Sequence, residues 1–280
     1  MIRKVVIPAA GLGTRLLPAT KEQPKEMLPI FVRSVNGKLC LKPLLQIIFE
    51  NLYDFGFREF CFITGRGKRS IEDYFTLDNG FVKYLKSRNK LGLAYELEAF
   101  YEKVRRSHIT FINQPEPKGF GDAVYRAKSF TGREAFLVHA GDNLIMSKEN
   151  QYLLNLIGVL DKYRASAAFC VEKVRDPREY GVIIGQKVAD NLYRVIDVVE
   201  KPSKPPSNIA IVAVYAFRSN IYHAIEKTAP DANNEVQLTN AIQQLLNAKH
   251  PVYALELGSE EKRIDIGTPE AYLRALSSMV

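Results

Sequence analysis

No run of apolar residues in this sequence approaches the ~20 needed to cross a bilayer as a helix. A membrane-spanning role is therefore not expected. The first apolar stretch, Val5 to Ile7, follows the start almost at once. That leaves no room for the charged, apolar and cleavage regions of a signal peptide. Cysteine is scarce: Cys40, Cys61 and Cys170 are odd in number and far apart, matching neither a disulfide framework nor a zinc spacing. They read as core-filling thiols of a protein of the reducing cytoplasm. Internal repeats and low-complexity segments are also missing. The 280 residues carry a formal net charge of +8, yet no basic stripe interleaved with aromatics is present. The cations are dispersed, apart from small groups at 66–69 and 103–106, so nucleic acid is not the expected partner.

Two familiar phosphate-binding signatures are absent as well. A Walker loop would need Gly-Lys-Ser/Thr after a glycine and four residues, and the sequence has none after β-like residues 5–7. The dinucleotide fingerprint G-x-G-x-x-G fails at its third glycine, where Leu16 stands, and Pro18 interrupts the helix that should follow.

What is present after the first apolar run is a different loop. Ala10, Gly11, Gly13 and Thr14 allow close approach of backbone to a ligand and expose N–H groups. Arg15, Lys21 and Lys25 follow within a dozen residues. Amide donors and clustered cations together describe a polyphosphate site. Gly11-Leu12-Gly13-Thr14-Arg15 and the later Pro24-Lys25-Glu26-Met27-Leu28-Pro29 resemble the signature of sugar-1-phosphate nucleotidylyltransferases. Within that family they look most like the branch that joins UTP to glucose 1-phosphate.

The rest of the chain is taken in order. Leu44 to Tyr53 has helical apolar spacing and ends near Gly56, and Glu59 to Thr64 reads as a buried strand. Strand, helix, strand is the unit of a parallel sheet. The expected class is α/β, with a Rossmann-like mixed, mainly parallel central sheet flanked by helices. Pro29 to Lys38 reads as irregular backbone. Residues 68 to 106 are charged and helical in pattern, a long insertion before a third strand at Ile109 to Asn113. The related thymidylyltransferases have a shorter connection there, so its length favours UTP over dTTP. The expectation is a single nucleotidylyltransferase domain over 1–280 carrying that insertion.

Gln114 stands at a strand end, where α/β sheets bind ligands, and Gly119 and Gly121 follow. An amide offers both a donor and an acceptor, which suits the N3–H and O4 edge of uracil. Taken alone, a turn and a helix cap explain these residues as well. The resemblance assigns the glutamine of Q-x-x-x-x-G-x-G to the base. Ala135 to His139 is a further strand, followed by Ala140-Gly141-Asp142-Asn143. The resemblance makes Asp142 a metal ligand, and it pairs Asp142 with Asp265 of Arg263-Ile264-Asp265-Ile266-Gly267 in holding Mg²⁺. Asn143 departs from the family's usual residue beside that aspartate. His139 reads as a core residue rather than a catalyst.

Four further motifs carry the resemblance. Tyr180-Gly181-Val182 is similar to the element whose glycine backbone meets a sugar hydroxyl. In Glu200-Lys201-Pro202 the glutamate would take sugar hydroxyls and the lysine the sugar phosphate. Ala210-Ile211-Val212 with Tyr215 is similar to a strand that lines the sugar pocket. Glu235-Val236-Gln237-Leu238-Thr239 resembles a hallmark that opens a structural helix. The resemblance covers essentially the whole chain. It implies that UTP and glucose 1-phosphate react to UDP-glucose and pyrophosphate. Arg15 and Lys25 would act on the triphosphate and Lys201 on the sugar phosphate. It also implies a homo-oligomer, a dimer or tetramer. A thymidylyltransferase using dTTP, another hexose 1-phosphate, and a non-catalytic nucleotide-sugar-binding homologue remain open alternatives.

Overall fold

Val5, Val6 and Ile7 are fully buried, and their burial on both faces places the first strand in the interior of a sheet. The computed structural model describes residues 2–34 and 37–278. In chain order its strands are β1 (Lys4–Pro8), β2 (Pro29–Arg33), β3 (Leu39–Pro43), β4 (Glu59–Gly65), β5 (His108–Gln114), β6 (Phe136–His139) and β7 (Asn143–Met146). They continue as β8 (Ala167–Lys173), β9 (Gly181–Ala189), β10 (Leu192–Glu200), β11 (Ile209–Phe217), β12 (Val252–Glu256) and β13 (Lys262–Asp265).

Nine strands form one sheet in the order β5-β4-β1-β6-β11-β8-β12-β10-β9. Side chains alternate between its two faces, as the twofold period of a strand requires. Val5 and Ile7 join one apolar cluster, which helix Leu44–Phe55 covers with Leu44, Leu45, Ile48, Phe49 and Leu52. Val6 joins the other, under helices Gly119–Arg126, Asn220–Glu226 and Leu238–Asn247. Helices therefore flank a mixed sheet on both sides, as expected.

The balance of pairing differs from the expectation. The half β5-β4-β1-β6 is parallel throughout. Beyond it, only β8 and β12 run parallel, and the other neighbours are antiparallel. Parallel and antiparallel neighbours are thus equal in number, not mainly parallel. One antiparallel pairing has a local cause: Asp190 and Asn191 alone connect β9 to β10, and a two-residue link can only make a hairpin, since a parallel crossover needs a dozen residues or more.

Pro29 to Lys38, expected to be irregular, also differs. Pro29–Arg33 is β2, paired antiparallel with β3; residues 35 and 36 of that stretch lie outside those described. Between β4 and β5 the chain forms three helices, Arg69–Tyr74, Asn79–Ser87 and Leu91–Arg105. Cys61 and Cys170 are fully buried, and Cys40 is partly exposed. Among the described residues, no helix is long and apolar enough to cross a membrane.

The three-helix segment is tied to the body through charge. Lys68 precedes its first helix and is 5% exposed; Glu26 is 2% exposed. Lys68 Nζ donates to Glu26 Oε2 at 2.9 Å. Burial pushes the Glu26 carboxyl up, opposed by the charges of Lys68 and Lys25. A buried ion pair of this kind contributes little net stability, but removing one partner strands the other. Lys68→Met is expected to destabilise the protein by about 3–5 kcal/mol in urea unfolding at neutral pH. A raised carboxyl favours the protonated form in the folded state, so stability is lost as pH rises through its folded value. The Lys68→Met deficit should accordingly shrink as pH falls into the carboxylate range. A deficit independent of pH would show that Glu26 is not the stranded charge.

Candidate active site

The parallel half of the sheet delivers its carboxyl ends to one edge. There β1 leads into the glycine loop, β5 ends at Gln114 and β6 ends at His139. Ligand sites of open α/β sheets lie at such an edge. Two cavities open along it, of about 320 Å³ and about 530 Å³. Asp142, Phe120 and Glu235 line both, so the cavities adjoin at Asp142.

The smaller cavity is built on the loop after β1. Ala10, Gly11, Gly13 and Thr14 line it, with Lys25 on one wall and Gln114 and Gly119 on another. Gly13 has φ 68°, and the Thr20 hydroxyl donates to its carbonyl at 2.7 Å, which holds the bend. Gly119 has φ 93°, and a Cβ there would lie 2.8 Å from the carbonyl oxygen of Val236. Both positions need glycine, because φ in this range and that contact exclude a side chain.

Gln114 is 5% exposed. Its Nε2 donates to the Gly119 carbonyl at 3.1 Å and to Asp122 Oδ2 at 2.8 Å. Both N–H bonds are thereby used inside the protein. The expected double use of this amide, as donor and acceptor toward a base, is corrected: only its oxygen is left to face a ligand.

The larger cavity gathers residues from the antiparallel half. Asn143, Gly181, Glu200, Lys201 and Tyr215 line it, with Asp142 and Asp265. Gly181 at the start of β9 lies opposite Glu200 at the end of β10 in the hairpin register. Lys201 follows with φ 40°, its N–H donating to the Tyr180 carbonyl at 3.0 Å. Its ammonium is half-exposed, 3.7 Å from Glu200 Oε1. Arg15 also lines this cavity rather than the smaller one, with its guanidinium beside Gly267. The expectation placed Arg15 with the triphosphate, so it stands instead near the junction.

Asp142 and Asp265 are remote in sequence and meet through a short ladder. β7 pairs antiparallel with β13, Asp265 opposite Asn143, the residue after Asp142. Each carboxylate has a cation. Lys25 Nζ donates to Asp142 Oδ2 at 2.5 Å. The Asp142 carboxylate beside it holds the Lys25 ammonium above its ordinary value, against burial. Burial opposes the charge on Asp142, but Lys25 outweighs it and the carboxyl lies below its usual range.

Arg263, which sequence reasoning passed over, is the hub on the other side. It donates to Asn143 Oδ1, Glu172 Oε1 and Asp265 Oδ2, each at 2.6 Å. Its guanidinium lies 5.0 Å from the centre of the Tyr180 ring. A signal existed: Arg263 is two residues before Asp265 on one strand, hence on the same face. Asn143, which departs from the family pattern, has here a defined partner. His139 is buried, with Nδ1 on the Ala140 carbonyl and Tyr152 Oη 3.4 Å from Nε2. Burial pushes it down to about 4, so it is neutral near pH 7 and has no open proton path.

The donors fit a hard divalent cation. Asp142 and Asp265 offer only carboxylate oxygens to one cavity. Among the described residues, no group of three or more His, Cys, Asp and Glu could hold a metal by itself. Such a cation can be held by one or two carboxylates, with waters and substrate phosphates completing the shell.

Arg263→Met should cost about 1–3 kcal/mol in urea unfolding, since it leaves the buried Asn143 amide oxygen and two partly exposed carboxylates without their donor. Arg263→Lys should recover only part of this, because one ammonium cannot reproduce a planar fork reaching three acceptors. Full recovery with lysine would mean that charge alone, not geometry, matters at this position.

Comparison with known proteins places this geometry. The profile of the nucleotidyl transferase family matches residues 4–279. The chain is 39% identical over 281 residues to UTP–glucose-1-phosphate uridylyltransferase 2 of Streptococcus pyogenes, covering 98% of this chain and 88% of that one. Among solved structures it resembles the UTP-bound UGPase of Acinetobacter baumannii, with TM-score 0.84 and 30% identity over 99% of this chain and 93% of that one. It likewise resembles a UDP-glucose pyrophosphorylase complexed with UDP-glucose, with TM-score 0.83 and 32% identity over 99% and 98%.

Proposed function

The chain belongs to the nucleotidyl transferase family, and from that premise we propose that it transfers the uridylyl group of UTP to glucose 1-phosphate, giving UDP-glucose and pyrophosphate. The observation that carries this reading is the meeting of the two cavities at Asp142. The glycine loop and Gln114 line one, and Glu200 and Lys201 line the other. A nucleotide in the first and a sugar phosphate in the second would present their phosphates to each other at the junction.

The sugar phosphate oxygen attacks the α-phosphorus in line, and pyrophosphate leaves. A phosphate monoester has its second pKa near ~6, so the nucleophile is already an anion at neutral pH. No general base is needed, which agrees with a buried, neutral His139. The obstacle is repulsion between two polyanions. At ~4 Å, two unit charges repel by about 4 kcal/mol at an effective dielectric near 20. Lys25 would bind the triphosphate and stabilise the leaving pyrophosphate. Arg15, at the junction, can reach phosphate from either substrate. Lys201 would hold the attacking phosphate, and its exposure lets it move onto a ligand.

Asp142 and Asp265 would hold Mg²⁺. When bound, such an ion supplies Lewis-acid stabilisation of charge on phosphate oxygens. The protein's own contribution is positioning and fixed charge. A cytoplasmic location and self-association into dimers or tetramers belong to the same reading.

The test is pyrophosphate release from purified protein with glucose 1-phosphate and Mg²⁺, offering UTP and dTTP in parallel. Release with UTP that EDTA abolishes is expected, and release with dTTP alone would overturn the uridylyl assignment. Lys25→Ala should lower turnover by about 100- to 1,000-fold while circular dichroism shows a folded protein. Near-normal turnover in that variant would remove Lys25 from the mechanism.

A further inference from the structure

Gln114 is held from behind by a second pair of residues that the reaction itself does not use. Asp122 lies in the first turn of helix Gly119–Arg126, and Arg126 lies one turn further on. Arg126 Nη2 donates to Asp122 Oδ1 at 3.0 Å, and its Nε to Oδ2 at 3.3 Å. Asp122 Oδ2 also accepts from Gln114 Nε2 at 2.8 Å, while the Gly119 carbonyl accepts the second N–H at 3.1 Å. Turning the amide over would press its oxygen against a carboxylate and a carbonyl, two acceptors. The surroundings therefore determine which end of the amide is which, on chemical grounds.

With both N–H bonds committed, Gln114 Oε1 accepts no hydrogen bond from the described residues. It is also not among the sealed, unpartnered polar atoms of the described structure. Gln114 lines the smaller cavity together with the glycine loop. The side chain thus offers that cavity an acceptor and no donor.

We infer that Asp122, braced by Arg126, is a positioning residue that locks Gln114 as a pure acceptor and so selects bases carrying a ring N–H. Uracil and thymine present N3–H at that edge and can donate to the oxygen. Cytosine presents a lone pair at N3, which would face the oxygen lone pairs and leave both groups unpaired. Leaving a buried polar group unpaired is penalised enough to separate UTP from CTP by roughly tenfold. This inference rests on the reading of the smaller cavity as the nucleotide site, and it adds a device the base contact alone does not contain.

Asp122→Asn tests it. The cation Arg126 would draw the new amide's oxygen, turning its NH₂ toward Gln114 and removing the acceptor that holds the glutamine. Binding of UTP and CTP is measured by titration calorimetry without sugar phosphate, beside pyrophosphate release with each nucleotide. The wild-type protein should prefer UTP, and Asp122→Asn should lose about tenfold or more of that preference. The KM for glucose 1-phosphate and the unfolding midpoint should stay near wild type, which a merely structural role would not predict. Asp122→Ala, which offers Gln114 no acceptor, serves if the asparagine variant fails to fold, with the same expectation. An unchanged UTP-to-CTP ratio in the folded variant overturns the inference, as does equal wild-type binding of the two nucleotides. Selective UTP binding without pyrophosphate release would instead sink the transfer reaction while leaving the lock in place.

Discussion

Cations that are to grip phosphates must be held charged and in place before any phosphate arrives. In a partly buried site an ammonium without a partner loses its charge to desolvation or swings away into water. Here the answer is alternation of sign. Lys68 pairs with Glu26, Lys25 follows Glu26 in the chain, and Lys25 pairs with Asp142. Across the junction, Arg263 pairs with Asp265 and Glu172. Every cation of the catalytic edge that is buried thus has a carboxylate. Lys201, which has only a long contact to Glu200, and Arg15 are exposed.

This alternation explains why the two halves of the sheet must be joined as they are. The parallel half can bring glycine loop, Gln114 and Asp142 to one edge, because all its strands end there. It cannot bring Asp265, which arrives from the far end of the chain. The small β7–β13 ladder does that, and Arg263 braces it from the same strand by reaching across to Asn143 and, on β8, Glu172. The antiparallel hairpin β9–β10 then sets Gly181 opposite Glu200, so that the sugar-side residues share a wall. The balance of parallel and antiparallel strands is a consequence of assembling one site from two chain halves.

The legible part of all this had local signals. The glycine loop, the apolar run before it and helix Leu44–Phe55 are each specified within a dozen residues by composition and period. Strand and helix positions along the chain followed the same logic. The illegible part was non-local. Lys68 looked like one cation of a surface cluster, Arg66 to Arg69, and only its approach to Glu26 shows it to be buried. Pro29 to Lys38 read as irregular, yet pairing with β3 makes Pro29–Arg33 a strand. Arg15 was expected on the triphosphate; past the left-handed bend at Gly13 its side chain stands beside Gly267 and lines the larger cavity. Spacing cannot report a change of direction that depends on one positive φ.

Gln114 shows the same limit at the level of a single functional group. From its type alone, an amide is both donor and acceptor, and a base edge with one of each looked like its match. Its actual chemistry is set by what takes its protons. A carbonyl five residues on and a carboxylate eight residues on both come from the loop and helix that follow β5. Selectivity then depends less on the residue that touches the ligand than on the residues that decide which of its atoms can. A carboxylate is well suited to that task, because it can accept and cannot donate, and Asp122 Oδ2 accepts from Gln114 while the carboxylate also pairs with Arg126. An asparagine in its place, with its oxygen drawn to Arg126, would turn an NH₂ toward the glutamine and offer no acceptor to hold the amide in this orientation.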